Sequence, residues 1–219
     1  MARVDFSLYL VTDRHQTRGR PLQDVVNAAL RAGVRAIQLR EQDLATRPLL
    51  ALARDLTELA RVWGARVVIN DRVDVCLAAD SGGVHLPAIG FPVFVARGLL
   101  GPDHLIGVST HSADEAARAD AEGADFILLG PIFETPSKRA FGPPIGLDEL
   151  ERARRRCRTP LFGIGGITKD RVRDVIRAGA RGVAVVGSVM AAEDIERASS
   201  EILSALESQH HLHLRGEAG

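Results

Sequence analysis

Eight short apolar runs recur along the chain. They are Leu8-Tyr9-Leu10-Val11, Ala36-Ile37-Gln38-Leu39, Arg66-Val67-Val68-Ile69, Gly83-Val84-His85-Leu86, Leu105-Ile106-Gly107-Val108, Phe126-Ile127-Leu128-Leu129, Pro160-Leu161-Phe162-Gly163-Ile164 and Val183-Ala184-Val185-Val186. Nearly uniform apolarity over so few residues suits strands of a parallel sheet covered on both faces. Between the runs lie stretches with helical spacing, at Leu22 to Ala32, Arg47 to Trp63, Ala113 to Glu122, Leu147 to Arg156 and Lys169 to Ala178. The stretches after the third and fourth runs are shorter. Three helical stretches end in Ala32-Gly33, Glu122-Gly123 and Ala178-Gly179, with glycine where a helix C-terminus takes a left-handed residue. Strict alternation of strand and helix predicts βαβ units. Eight units in 219 residues predict a closed (β/α)8 TIM barrel. The reading is one domain over residues 1–207 and a polar tail over 208–219, in which His210, His211 and His213 suggest a frayed end or, alternatively, metal binding.

Composition narrows the classes. Apolar residues make up 46% and charged residues 26%, and 28 basic side chains balance 28 acidic ones. That neutrality gives no footprint for nucleic acid or a membrane surface. No apolar run reaches the ~18 residues of a membrane span, and the N-terminal residues lack a signal-peptide core. Cys76 and Cys157 are read as reduced, packed thiols. A reducing, cytoplasmic setting is expected. Self-association into a homo-oligomer is left open.

Polar residues gather just after the apolar runs, where a barrel keeps its chemistry. Gln38 and Arg40 stand two apart and share one side of their strand. Arg40 offers a forked cation for phosphate oxygens; the alternative is a salt bridge to Asp43 or Asp71. Asn70-Asp71 supplies an amide and a carboxylate. Asp71 is read either as a Mg²⁺ ligand beside phosphates or as the N-cap of the next helix. Ser109-Thr110-His111-Ser112 closes the fifth run, and Thr135-Pro136-Ser137-Lys138 opens a loop to Gly146 that reads as a lid. Lys138 there either neutralises a phosphate or is an exposed loop lysine. Gly163-Ile164-Gly165-Gly166 and Val186-Gly187-Ser188 are backbone turns at the seventh and eighth strand ends, the usual phosphate cradle of this fold. His85 is read as a structural histidine, and His111 as either structural or a general acid or base. No cysteine–histidine set has zinc spacing, and no Ser-His-Asp order is evident.

These residues resemble the thiamin-phosphate synthase family and its TenI-like relatives. The resemblance runs from Leu8-Tyr9-Leu10-Val11-Thr12-Asp13 to the eighth strand. Its strongest stretches are Gln38-Leu39-Arg40-Glu41, Ile69-Asn70-Asp71-Arg72-Val73-Asp74, Gly83-Val84-His85-Leu86, Gly107-Val108-Ser109-Thr110-His111-Ser112, Gly130-Pro131-Ile132-Phe133 with Thr135-Pro136-Ser137-Lys138, and Gly163-Ile164-Gly165-Gly166-Ile167. The resemblance implies a transferase that joins an aminopyrimidine methyl diphosphate to a thiazole phosphate and releases pyrophosphate. It implies that Gln38, Arg40, Gln42, Asn70, Ser109 and Lys138 bind the pyrimidine diphosphate, with Arg40, Ser109 and Lys138 as the catalytic set. Asp71 would bind Mg²⁺, and Thr135, Ser137, Gly166, Val186 and Gly187 would hold the thiazole phosphate.

Two positions depart from the family pattern. Gln42 stands where the family usually has lysine, and Gly90 where it usually has a second Mg²⁺-binding aspartate. A lost electrostatic donor is typically worth ~3–4 kcal/mol of barrier. The same resemblance therefore leaves two alternatives open, a TenI-like thiazole tautomerase and a non-catalytic thiamin-phosphate-binding relative. One tautomerase type carries a histidine just before the stretch Phe133-Glu134-Thr135, where this chain has Pro131.

Overall fold

The computed structural model describes residues 4–135 and 143–216, with side chains as far as residue 209 of the last helix. Eight parallel strands, β1 (Leu8–Val11), β2 (Ala36–Leu39), β3 (Arg66–Asn70), β4 (Gly83–Leu86), β5 (Leu105–Thr110), β6 (Phe126–Leu129), β7 (Leu161–Ile164) and β8 (Gly182–Val185), close into a barrel in sequence order. The helices between them are α1 (Leu22–Arg31), α2 (Thr46–Val62), α3 (Val73–Ala78), α4 (Val93–Leu100), α5 (Ala113–Ala121), α6 (Gly146–Arg156) and α7 (Lys169–Arg177). The short α8 (Gly187–Met190) and long α9 (Ile195–Gly216) complete the chain. The fold is the (β/α)8 barrel that the alternation predicts, with α3 and α4 the short helices expected after the third and fourth strands. No helix among the described residues is long and apolar enough to cross a membrane. Cys76 and Cys157 are buried free thiols.

The helices form where an apolar stripe meets the barrel. On α2, Leu49, Ala53, Leu56, Thr57 and Ala60 are buried, the spacing of one helix face. The expected glycine stops hold. Gly33, Gly123 and Gly179 all have φ between +87° and +107°. The residue after each donates back five positions, as Val34 N–H does to the Ala29 carbonyl at 3.1 Å. The last helix differs from expectation. α9 continues to Gly216 through the stretch read as a polar tail. No proline or glycine interrupts residues 195–215, so nothing in the chain stops the helix earlier.

Two apolar layers result. The larger lies between strands and helices and includes Leu10, Ile37, Leu56, Ile69, Val172 and Leu206. The smaller fills the barrel itself, with Phe6, Tyr9, Val68, Leu105, Phe126 and Phe162 among its members. Its rings pack edge to face, Tyr9 on Phe126 at 5.2 Å and 85°. His85 joins this stack, 5.6 Å from Phe126 and 5.9 Å from Tyr9. The space comes from Gly107, which faces both rings. A Cβ there would lie 2.3 Å from Phe126 Cζ and 2.5 Å from His85 Nδ1. Burial, helped by the charge of Arg40, pushes His85 down to about 3, so its ring is neutral at ordinary pH.

Two measurements test this interior. Gly107→Ala has to displace Phe126 or His85, and overpacking of this kind costs about 1–3 kcal/mol; urea denaturation is expected to show the loss, and an unchanged midpoint would contradict the packing. His85 supplies a pH dependence. The unfolded chain protonates this histidine near its ordinary value of about 6.5, whereas the folded chain resists down to about 3. Stability is therefore complete above the unfolded value and falls as pH drops between the two. The fall is about 1.4 kcal/mol per pH unit. His85→Gln should lack that component, and equal acid sensitivity of the two proteins would contradict it.

Candidate active site

The expected polar residues sit at the C-terminal ends of the strands, above the aromatic layer. Gln38 is 3% exposed, and its Nε2 donates to the Tyr9 hydroxyl at 3.3 Å. Burial pushes the Tyr9 phenol up, well beyond its usual range, so it stays protonated. Asn70 is half-buried and pairs in register with His85. Ser109 is half-buried and its Oγ lies 2.9 Å from His85 Nε2. Tyr9, Gln38, Asn70, His85 and Ser109 are thus brought together around the mouth, on β1 to β5.

Arg40 belongs to this group, since its charge is felt at His85. The salt bridge to Asp43 or Asp71 is not formed. The Arg40 guanidinium instead donates to Gln42 Oε1 at 3.1 Å, and no carboxylate of the described residues pairs with it. Asp43 is taken by Arg14 at 2.5 Å and by His15 at 3.0 Å. Hydrogen bonds from Arg14 and then His15 hold the Asp43 carboxyl well below the usual carboxylate range.

Arg40's backbone is fixed from below. Its N–H donates to Thr12 Oγ1 at 3.0 Å, and that hydroxyl donates to Glu41 Oε1 at 2.7 Å. Glu41, 4% exposed, also accepts from the Arg14 backbone and guanidinium, each at 3.2 Å. Sequence reasoning missed this network. Thr12, Glu41 and Asp43 were visible as polar strand-end residues, but their partnership with Arg14 appears only once β1 and β2 pair in register, Val11 opposite Gln38.

Asp71 is exposed and its backbone is left-handed, at φ +64°. Its N–H donates to the His85 carbonyl at 2.9 Å. The helix-capping alternative is not realised. The N-cap of α3 is Arg72, and no side chain caps it. The Asp71 carboxylate accepts no hydrogen bond from the described residues. Gly90 is exposed on the loop after β4, where an added Cβ would fall 2.9 Å from Pro87 Cδ. Among the described residues no group of three or more His, Cys, Asp or Glu could hold a metal.

The other half of the mouth is backbone. Gly165 and Gly166 take φ +97° and +65°. Ile132 and Phe133 extend the β6–β7 pairing onto this turn, donating to the carbonyls of Ile164 at 2.8 Å and Gly165 at 3.1 Å. A Cβ at Gly166 would lie 2.6 Å from the Glu134 carbonyl oxygen and 2.9 Å from Phe133 Cβ, so only glycine fits. Arg171 donates to the Gly166 carbonyl at 2.6 Å and lies over the Phe133 ring at 4.6 Å. The Ser188 hydroxyl bonds the Ile167 carbonyl, joining the seventh and eighth loops. Val186 and Gly187 are therefore held beside Gly166. The N–H groups of Gly166, Gly187 and Ser188 donate to no acceptor of the described residues. Thr135 is half-buried at the start of the loop. Ser137 and Lys138, and most of the expected lid, lie outside the described residues.

His85 is the structural histidine expected. His111 is exposed, and its Nδ1 donates to the Gly130 carbonyl at 2.6 Å. One side of the mouth thus offers a guanidinium, two amides and a hydroxyl, and the other offers unpaired backbone N–H groups. That is a donor-rich rim over a dry floor, suited to an anionic ligand with two charged ends.

Known proteins match this chain over nearly its whole length. A protein from Geobacter sulfurreducens named provisionally as a thiamine-phosphate synthase is 50% identical, covering 94% of this chain and 97% of its own. The thiamine-phosphate synthase of a Roseiflexus species is 42% identical over 92% of this chain and 85% of its own. The solved thiamine phosphate pyrophosphorylase of Pyrococcus furiosus superposes with a TM-score of 0.84 at 36% identity, covering 93% of this chain and 96% of that one. The family model described as thiamine monophosphate synthase matches residues 8–189, and the chain belongs to that family.

Proposed function

We propose that this chain is a thiamine-phosphate synthase, a transferase joining an aminopyrimidine methyl diphosphate to a thiazole phosphate. The bond between the pyrimidine methylene carbon and its diphosphate oxygen breaks, and its electrons leave with pyrophosphate. The thiazole nitrogen then supplies the electron pair for the new carbon–nitrogen bond. No proton needs to be abstracted, which agrees with a mouth rich in donors and poor in bases. The neutral, buried His85 is not a base at ordinary pH.

The observation that carries the reading is Arg40, held in place by Thr12 and Glu41 yet not ion-paired to any described carboxylate. Its guanidinium, with Gln38, Asn70 and Ser109, would receive the diphosphate and stabilise its growing charge. Gln42 would reach the same group through Arg40. Gly166, Val186 and Gly187 would cradle the thiazole phosphate with backbone N–H groups, with Thr135 and Ser137 beside them, and Lys138 would join Arg40 and Ser109 on the diphosphate. The aromatic floor of Tyr9 and Phe126 excludes water from below.

A single carboxylate completed by substrate phosphate oxygens is an ordinary Mg²⁺ donor set. Asp71, exposed at this rim with its carboxylate accepting no hydrogen bond from the described residues, fits that role. Bound there, Mg²⁺ would neutralise the departing diphosphate. Two buried free thiols suit a reducing compartment, so we place the enzyme in the cytoplasm.

Purified protein with both substrates and Mg²⁺ should form thiamin phosphate and pyrophosphate. Arg40→Ala should lower kcat/KM by roughly 100- to 1000-fold, the usual effect of removing one transition-state donor. Arg40→Lys should restore little, because a point charge cannot fork between two oxygens. No turnover at high enzyme concentration would end the reading. Aromatisation of a thiazole carboxylate phosphate without any pyrimidine substrate would instead mark an isomerase.

A further inference from the structure

Among the described residues Ser109 Oγ has one partner, His85 Nε2 at 2.9 Å. The other ring nitrogen, Nδ1, is buried with no hydrogen-bond partner among the described residues. The slot accounts for this. Nδ1 faces the bare Cα of Gly107, where even a Cβ would approach within 2.5 Å, and the rings of Phe126 and Tyr9 seal the space around it. The Phe126 ring has no hydrogen-bond group, and the Tyr9 hydroxyl pairs with Gln38 instead of Nδ1.

A neutral imidazole carries its proton on one nitrogen or the other. On Nδ1 the proton would make a buried donor with no acceptor, an arrangement rarer than a buried acceptor without a donor. On Nε2 the proton meets Ser109 Oγ, and Nδ1 is left as a bare lone pair against apolar groups. The first tautomer wastes a donor; the second wastes only a lone pair.

We propose that His85 is a positioning residue: it keeps its proton on Nε2, donates to Ser109 Oγ, and thereby turns the Ser109 hydroxyl hydrogen toward the barrel mouth as an anion donor. The inference rests on the reading above that Ser109 meets the diphosphate. His85 pairs in register with Gly107, so Ser109 stands two residues closer to the C-terminal rim. With Nε2–H below it, Oγ can only accept from that side, and its own hydrogen must point elsewhere. With the opposite tautomer the hydroxyl would donate downward and present lone pairs to the mouth. A negative ligand would meet repulsion there. The same side chain pair thus attracts or repels an anion according to one proton's place in the core.

Long-range proton–nitrogen correlation spectra of the histidine-labelled wild-type protein, without ligand, read the tautomer directly; the His85 signals are those absent from His85→Gln. A protonated Nε2 and a bare Nδ1 are expected. A proton on Nδ1 overturns the proposal and leaves the anion reading of Ser109 standing. Calorimetric binding of inorganic pyrophosphate with Mg²⁺ then tests the consequence. Ser109→Ala should weaken binding roughly 10- to 100-fold, the loss of one hydrogen bond to a charged group. His85→Gln, whose amide nitrogen donates at similar reach, should stay near wild type, and His85→Leu should fall to the level of Ser109→Ala. The double variant should be no weaker than either. His85→Leu binding like wild type while Ser109→Ala does not overturns the proposal. Ser109→Ala binding like wild type refutes the diphosphate reading of Ser109 itself, and with it the positioning role, whatever the spectra show.

Discussion

The Phe126 ring lies where a side chain of Gly107 would otherwise be, and the His85 ring meets the same gap. Below it the interior is aromatic and dry, with Phe6 tilted 36° against Phe162 at 5.2 Å. Above it the inward positions turn polar. The same missing Cβ admits the His85 ring, which carries Ser109 on its upper edge. A larger residue at position 107 would disturb the core and the mouth together. The glycine therefore belongs to the site although it touches nothing charged.

On this floor the donors are held by protein contacts rather than left to be gathered by a ligand. Thr12 and Glu41 fix the backbone of Arg40, and Arg14 absorbs Asp43, the carboxylate that would otherwise compete for the guanidinium. Ser188 bonds the seventh loop to the eighth, and Arg171 pins the Gly166 carbonyl. Groups aimed in advance at developing charge need no reorganisation when the charge appears. This explains how a neutral chain with few candidate bases can promote departure of a diphosphate: among the described residues its contribution is placed dipoles and the Arg40 guanidinium.

The strands were legible because a two-sided parallel sheet leaves a plain mark. Each of the eight apolar runs became a strand, displaced by no more than two residues at an end, and the glycines at 33, 123 and 179 ended helices as read. The polar rim was legible as a set, since residues just past the strands had nowhere else to go. Individual partnerships were not. Asp71 before a helix looks like a cap, but its left-handed backbone turns it away from the helix end. Asp43 looks like a partner for Arg40, only three residues away, until β1 brings Arg14 between them. Such choices depend on register across strands, which local spacing does not encode. The polar composition after Ser208 suggested fraying, whereas the absence of a helix breaker kept α9 intact to Gly216.

The central claim is that one mouth gathers these scattered groups around a single two-part anion. The crystal structure of the protein with thiamin phosphate, pyrophosphate and Mg²⁺ bound tests it most directly. The account requires pyrophosphate against Arg40, Asn70 and Ser109, the ion on Asp71, and the thiazole phosphate against the N–H groups of Gly166 and Gly187. Pyrophosphate seated away from Arg40, or the two anions on opposite ends of the barrel, would contradict it.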